Sequence, residues 1–397
     1  MPLLPADDIP ELLSRLVDKS LVQVDTNGRY SLLKLVRSFV GEELTLTEDE
    51  QRAKARHRDF YDEFCKNATV QMFGPDQIRI FATMSEELEN LRRAIDFATT
   101  DAQTWATSVR MIDDLFLYMQ VHGIYTDGIV MGKNAIARAP GNSEFGRAML
   151  WASIARLQHF QRSPETEHSI EQAIALGDQS GNIAALALAI FQKALFKFVN
   201  GAHQEGYELA NQALAMARAS GDRYMEGRIQ VNLGNVALAQ ENLVDARLYY
   251  EECQRVWGTL GNIRGMAVVY ANLAQIHERL GDYKSAHREG VNAMRTFLTL
   301  GDEMNLVSTL AGLCGGFWLA KDYETAAMLL GRIDAVWAKL DAHPDPPDVL
   351  TAERWRARLR EAMGADTFSA ALEKGKDTAT MELVDKVLSN PEPWVRA

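Results

Sequence analysis

Two sets of polar side chains, spaced three, four or seven residues apart, are the part of this sequence best suited to binding chemistry. They are Arg228, Asn232 and Asn235, followed by Asn272, Gln275 and Arg279. Residues at these spacings share one face of an α-helix, so each set projects together. Amide side chains both donate and accept hydrogen bonds, which suits a peptide backbone, a terminal carboxylate or sugar hydroxyls. The alternative is that these amides bond neighbouring helices and hold them in register.

The patterns typical of catalytic and metal sites are missing from the sequence. The eight histidines are scattered, and neither an HExxH motif nor a GxSxG nucleophile elbow occurs. The phosphate loop GxxxxGK[ST] is also absent, since the Gly–Lys pairs at 132–133 and 375–376 are followed by Asn134 and Asp377. We therefore expect a protein that is not an enzyme and that holds no metal and no cofactor.

The charge balance argues against direct contact with nucleic acid. The formal net charge is −12, whereas proteins that neutralise phosphates usually present a basic face. The densest basic stretches, "RAKARHR" (52–58) and "RWRARLR" (354–360), have acidic residues nearby. We interpret both as solvated helix faces.

Cysteine usage and hydropathy indicate a cytoplasmic protein that does not contact membranes. Cys65, Cys253 and Cys314 lie far apart and form no CxxC motif, which argues against a disulfide scaffold or a zinc knuckle. The first residues lack a signal-peptide pattern, and no apolar run reaches the roughly 18 residues that a membrane helix needs.

Glycine followed by asparagine or aspartate recurs every 40 residues. The pairs lie at 141–142, 181–182, 221–222, 261–262 and 301–302. Such a glycine can close one helix in the left-handed conformation, and the residue behind it can cap the next helix. A second turn lies halfway through the later blocks, at "AQENL", "LGDYK" and "AKDYE". The repeat therefore predicts an all-α fold, an α-solenoid of helical hairpins.

Two columns of small residues within this repeat predict close helix packing. They are Gly234, Ala274 and Cys314 on the first helices, and Ala246, Ala286 and Ala326 on the second helices. We expect these positions to be buried where the two helices of a hairpin approach each other.

The segments "VNLGNVALAQENLVDA" (231–246) and "ANLAQIHERLGDYKSA" (271–286) resemble tetratricopeptide motifs. The family's 34-residue repeat is stretched here to 40 residues. This resemblance implies that the two polar sets introduced above line the concave groove of the solenoid. It also implies a protein, a peptide or a small molecule as the partner in that groove.

The first 44 residues follow a different pattern. An amphipathic helix, a hairpin with an Asn27–Gly28 turn, and a second helix beginning near Leu32 are predicted from "IPELLSRLVDKSLVQVDTNGRYSLLKLVRSFVGEEL" (9–44). Helix, hairpin, helix is the trailing half of a winged helix. The helix before the hairpin offers only Arg15 and Lys19 as cations, which is poor equipment for binding DNA.

A second resemblance covers about residues 9–390. The segments "RYSLLKLVRSFVGEEL", "RHRDFYDEF" and "EELENLRRAIDFA", with the tail "RLREAMGADTFSAALEKGKDTATMELVDKVL", resemble bacterial signal-transduction ATPases related to NB-ARC proteins. Many of these are transcriptional regulators of LuxR or antibiotic-regulator type. The resemblance implies a non-enzymatic scaffold that senses a ligand or partner, as the sensor half of such a regulator, either excised or stand-alone. The alternatives are a plain adaptor that binds a peptide, and a nucleotide-hydrolysing regulator whose ATPase domain is not in this chain.

These observations divide the chain into four predicted regions. They are a partial winged helix at 1–45, a linking helical segment at 46–100, tetratricopeptide-like repeats at 101–340, and a helical cap at 341–397.

Overall fold

The computed structural model describes residues 8–26, 28–45, 49–72, 76–339 and 346–389. The chain divides into two compact units, residues 1–63 and residues 64–397. The predicted boundaries after residues 45 and 340 adjoin segments outside the described residues, and the four-region division stays a prediction.

The first unit begins with the helix, hairpin and helix that the sequence predicts. Its elements are α1 (Ile9–Asp18), β1 (Val22–Val24), β2 (Tyr30–Leu32) and α2 (Lys34–Thr45). The strands are antiparallel, with Val22 opposite Leu32 and Val24 opposite Tyr30. In the turn, Gly28 has a φ of +79°, and Asn27 lies outside the described residues. That this helix, hairpin and helix form part of a winged helix stays a prediction.

Two long helices, α3 (Asp49–Gln71) and α4 (Gln77–Ala98), precede an array of helical hairpins. The paired helices are α5 (Trp105–Val121) and α6 (Tyr125–Ala137), α7 (Glu144–Phe160) and α8 (Thr166–Ser180), α9 (Ile183–Val199) and α10 (His203–Ser220), α11 (Arg223–Ala239) and α12 (Leu243–Leu260), and α13 (Ile263–Arg279) and α14 (Tyr283–Leu300). The next hairpin has a divided first helix, α15 (Glu303–Gly312) and α16 (Cys314–Leu319), followed by α17 (Tyr323–Lys339). The fold is the predicted all-α solenoid.

The Gly–Asn and Gly–Asp pairs shape the junctions between hairpins. Gly181, Gly221, Gly261 and Gly301 end their helices with φ between +62° and +73°. The residue after each caps the next helix through its side chain, as when Asp302 Oδ1 accepts from Asn305 N at 3.2 Å. The prediction was wrong for 141–142, because Gly141 is not left-handed and α7 begins one position later, with Ser143 as its N-cap.

Both columns of small residues are buried, as predicted. Ala246, Ala286, Ala326 and Cys314 are fully buried, and Ala274 is 1% exposed. At Gly234, a Cβ atom would lie only 2.5 Å from the Tyr250 ring, so this glycine lets α11 and α12 pack through that ring.

Three helices complete the second unit: α18 (Pro346–Met363), α19 (Ala365–Asp377) and α20 (Thr380–Ser389). Helix α19 packs closely on α17, because Gly331 and Gly375 let the two backbones approach. Helix α18 crosses to α11, α13 and α15 on the inner face of the array. The interpretation of 354–360 as a solvated face was therefore wrong in part. Trp355 is fully buried, and Arg354 and Arg356 pair with Glu278 and Asp334.

Candidate functional site

The inner face of the array holds a cavity of about 350 Å³ that is partly open to solvent. It is lined mainly by α5, α7, α9, α11, α13 and the start of α15, and Asp348 of α18 closes one side. We call it the inner cavity, and its polar lining includes Arg156, Gln192, Arg228 and Asn232. A smaller cavity of about 250 Å³ adjoins it and shares Arg156 and Arg228. Ligand pockets typically measure roughly 300–1,000 Å³.

Two of the six predicted groove residues line the inner cavity. Arg228 lies with its guanidinium carbon 5.4 Å from the centre of the Phe191 ring and 5.9 Å from that of Tyr224. One turn later, Asn232 Nδ2 donates to the Arg228 carbonyl at 2.8 Å. This bond uses one of the two N–H groups of Asn232, so its second N–H and its side-chain oxygen remain available to a ligand.

Asn235 and Asn272 join two neighbouring hairpins. Asn272 Nδ2 donates to Asn235 Oδ1 at 2.9 Å, and the Tyr250 hydroxyl donates to the same oxygen at 2.8 Å. Both asparagines are 7% exposed. These bonds agree with the second possibility raised by the sequence, in which the amides bond neighbouring helices and hold them in register. A buried amide whose hydrogen bonds are satisfied fixes the pairing of its helices.

Gln275 and Arg279 also bond to the protein itself. Both ends of the Gln275 amide bind α18: Nε2 donates to Asp348 Oδ1 at 2.7 Å, and Oε1 accepts from Thr351 Oγ1 at 2.8 Å. Arg279 Nη1 donates to the Leu238 carbonyl at 2.8 Å. Helix α18 therefore occupies the inner face of α13, where the sequence pattern placed a groove.

Arg156 and Gln192 are cavity residues that the sequence analysis missed. Gln192 lies 40 residues before Asn232 and 80 before Asn272, so extending that polar column by one repeat would have found it. Arg156 stands in a column that is otherwise apolar, with Phe196, Val236 and Ile276. This single charged residue in an otherwise apolar column was the signal in the sequence that could have revealed Arg156.

Asp114 on α5 lines the smaller cavity and is the most perturbed carboxyl there. It accepts from Thr69 Oγ1 at 2.6 Å and from Arg110 Nη1 at 2.8 Å. Burial nevertheless raises the pKa of Asp114 to about 6, and these two partners only oppose that rise. The folded state thus holds this proton more tightly than the unfolded chain, in which the pKa of aspartate is about 3.9.

Replacing Asp114 with asparagine should stabilise the protein at pH 8 by about 1–3 kcal/mol, because the variant avoids burying a charge. With the folded pKa above the unfolded one, wild-type stability falls as pH rises from about 4 to about 6. The gain should therefore vanish below about pH 4 and be constant above about pH 7. Urea unfolding across this range measures it, with exposed Asp178→Asn as the control. A gain that is independent of pH would contradict the assignment.

The three cysteines are buried, and burial raises the pKa of each thiol. Thiols in such surroundings are poor nucleophiles and poor metal ligands. In the part of the chain that the structure describes, no three His, Cys, Asp or Glu side chains are grouped to hold a metal ion.

Comparison with known protein families finds a match, and it lies within the array of hairpins. Residues 225–295, which contain all six predicted groove residues, match the tetratricopeptide repeat. A comparison with curated proteins finds no match. Among the described helices, none has both the length and the apolar composition needed to cross a membrane.

One solved structure similar to this chain is a Signal Transduction ATPase with Numerous Domains (STAND) protein with a tetratricopeptide repeat sensor, from Pyrococcus horikoshii. The two share 17% sequence identity, with a TM-score of 0.48. The similarity covers 94% of this chain and 59% of that protein, so this chain spans less than two thirds of its length.

Proposed function

We propose that this protein is a non-enzymatic sensing scaffold, the part of a signalling regulator that binds a ligand. A small ligand enters the inner cavity and favours one curvature of the array, and that change alters what the ends of the array contact. Only a ligand that binds the two curvatures with different affinity can shift their populations. The resemblance of residues 9–44 and of the C-terminal tail to transcriptional regulators of LuxR or antibiotic-regulator type supports a role in transcription control. In this proposal the chain itself makes no direct contact with nucleic acid.

The inner cavity is the main support for this proposal. Its lining comes from several consecutive hairpins, so a bound molecule would contact first helices that move relative to one another when curvature changes. Repeat arrays change shape by small rotations between neighbouring repeats. A ligand held across several repeats is thus well placed to bias them.

The position of α18 favours a small ligand over the peptide-binding adaptor. An extended peptide would need the inner face along the array, and α18 covers part of it through Gln275 and Glu278 of α13. The open part lies nearer α5, α7, α9 and α11. Peptide binding remains the second candidate because residues 225–295 match a repeat that typically binds proteins.

Native mass spectrometry of the gently purified full chain tests the proposal. Val268 lines the inner cavity, so Val268→Trp should fill it and abolish any small-molecule adduct seen on the wild type. Val244→Trp is the control, because Val244 is 71% exposed on α12. Removing the adduct should also change the radius of gyration in small-angle scattering. An unchanged shape would favour the adaptor, and an adduct retained equally by Val268→Trp would contradict the cavity as the site.

A further inference from the structure

The inner cavity contains buried hydrogen-bond donors that have no acceptor. Among its described lining residues, Arg156 Nε and Gln192 Nε2 are buried and have no hydrogen-bond partner. Gln192 is only 2% exposed. A buried donor without an acceptor costs free energy, and proteins rarely retain one without a reason. Both orphan atoms are donors, so the missing partner is an acceptor.

Two arginines face this cavity without a carboxylate partner among the described residues. Arg156 lies with its guanidinium carbon 5.1 Å from the centre of the Phe116 ring. Arg228 is held in the same manner by the rings of Phe191 and Tyr224. Aromatic faces can orient a guanidinium while leaving its N–H groups available.

The two guanidinium groups are close enough to repel each other. Burial, and then the charge of Arg228, lower the pKa of Arg156 to about 10, while Asp113 raises it. Asp113 is not within ion-pair distance of Arg156, and one of its oxygens accepts from Ser153 Oγ at 3.2 Å. Two like charges held near each other destabilise the protein, and an anion bound between them would offset that repulsion.

The acidic residues around the two cavities already have protein partners. Asp302 pairs with Arg264 at 2.8 Å, and Glu303 pairs with Lys339 at 2.9 Å. Asp348 accepts from Gln275, and Asp222 caps α11 by accepting from Met225 N. The unpartnered buried polar atoms that remain in the described lining of the inner cavity, Arg156 Nε and Gln192 Nε2, are therefore both donors.

We propose that Arg156 and Arg228, together with the Gln192 amide, bind the oxyanion of a small organic acid or phosphate ester. This assignment rests on the proposed sensing function and names the chemistry of its ligand. The guanidinium groups supply charge-assisted bonds to a carboxylate or phosphate. Gln192 adds a neutral donor, because its Nε2 is buried and has no acceptor. The surrounding rings of Phe116, Phe191 and Tyr224 suit an apolar or planar remainder of the ligand.

Calorimetric titration of the full chain with pyrophosphate and with citrate, at matched ionic strength, tests this assignment. We expect saturable binding of at least one probe, and the stronger one separates a phosphate ligand from a carboxylate ligand. Arg156→Met and Arg228→Met should each weaken that binding by about ten- to one-hundred-fold, the usual effect of losing a charge-assisted bond. Arg247→Met is the matched control, because Arg247 is exposed on α12 and pairs with Glu251.

Thermal unfolding without a ligand separates a binding role from a structural one. If Arg156 serves to bind an anion, its buried charge destabilises the protein when no anion is bound. Arg156→Met should therefore unfold at a higher temperature than the wild type. A lower unfolding temperature would mean that Arg156 serves packing. That result would overturn the assignment, as would no binding of either probe, or equal binding by wild type and both arginine variants. A neutral adduct in the native mass spectra, lost in Val268→Trp, would still leave the sensing function standing.

Discussion

Replacing Arg354 with methionine should destabilise the C-terminal hairpins by about 3 kcal/mol. Arg354 of α18 pairs with Glu278 of α13, whose side chain is 1% exposed. Burial raises the pKa of Glu278, and Arg354 is the strongest of the cations that oppose this rise. Without it, a carboxylate stays in a dry site with only the weaker influence of Arg358 and Arg279. Urea unfolding, with hydrogen exchange in α13 and α18, measures the loss.

The double variant Glu278→Met/Arg354→Met is the control for this effect. Removing both charges leaves no uncompensated carboxylate, so most of the lost stability should return. The cost of Arg354→Met alone should also shrink at acidic pH, because a proton can then neutralise Glu278. A loss below about 0.5 kcal/mol, as for an exposed pair, would contradict a dry site.

Replacing Gly375 with alanine should cost about 3 kcal/mol and loosen α19 from α17. A Cβ atom on Gly375 would lie 2.1 Å from the Met328 carbonyl oxygen, and one on Gly331 would lie 2.0 Å from that of Leu372. These neighbours are backbone atoms, so no side chain can turn away to make room. The two helices would have to separate and expose part of their shared core.

The control for this prediction is Gly258→Ala on α12. A Cβ atom there meets nothing within 4 Å, so alanine should stabilise that helix by about 0.5–1 kcal/mol. Circular dichroism and hydrogen exchange in α17 and α19 follow both variants. Equal stability of Gly375→Ala and the wild type would mean that the helices lie further apart than the structure shows.

The repeat could be predicted because its signals are local. A left-handed glycine and the cap behind it act within five residues, and four of the five pairs did what the sequence indicated. The failure at 141–142 is also local, since α7 takes Ser143 as its N-cap. Secondary structure, hairpin pairing and the buried columns of small residues followed from this register.

The position of α18 could not be predicted from such signals. Its bonds to Gln275 and Glu278 join residues about 76 apart in the chain, and nothing in the repeat period specifies them. Asn232 follows a polar column that also holds Gln192 and Asn272. Arg228 came from the tetratricopeptide pattern, because Leu188 and Val268 stand at its place in the neighbouring repeats. Arg156 likewise breaks its column. The candidate site thus combines an amide that the repeat specifies with two arginines that depart from it.

The late position of α18 in the chain has a consequence for synthesis on the ribosome. Neighbouring hairpins can pack as each emerges, because repeat arrays depend on nearest-neighbour contacts. Glu278 has no Arg354 until another 76 residues have been made, roughly 4–15 s at ordinary elongation rates. During that interval α13 should remain open to solvent on its inner face. The nascent array is therefore expected to complete its C-terminal half in one late step, when α18 docks.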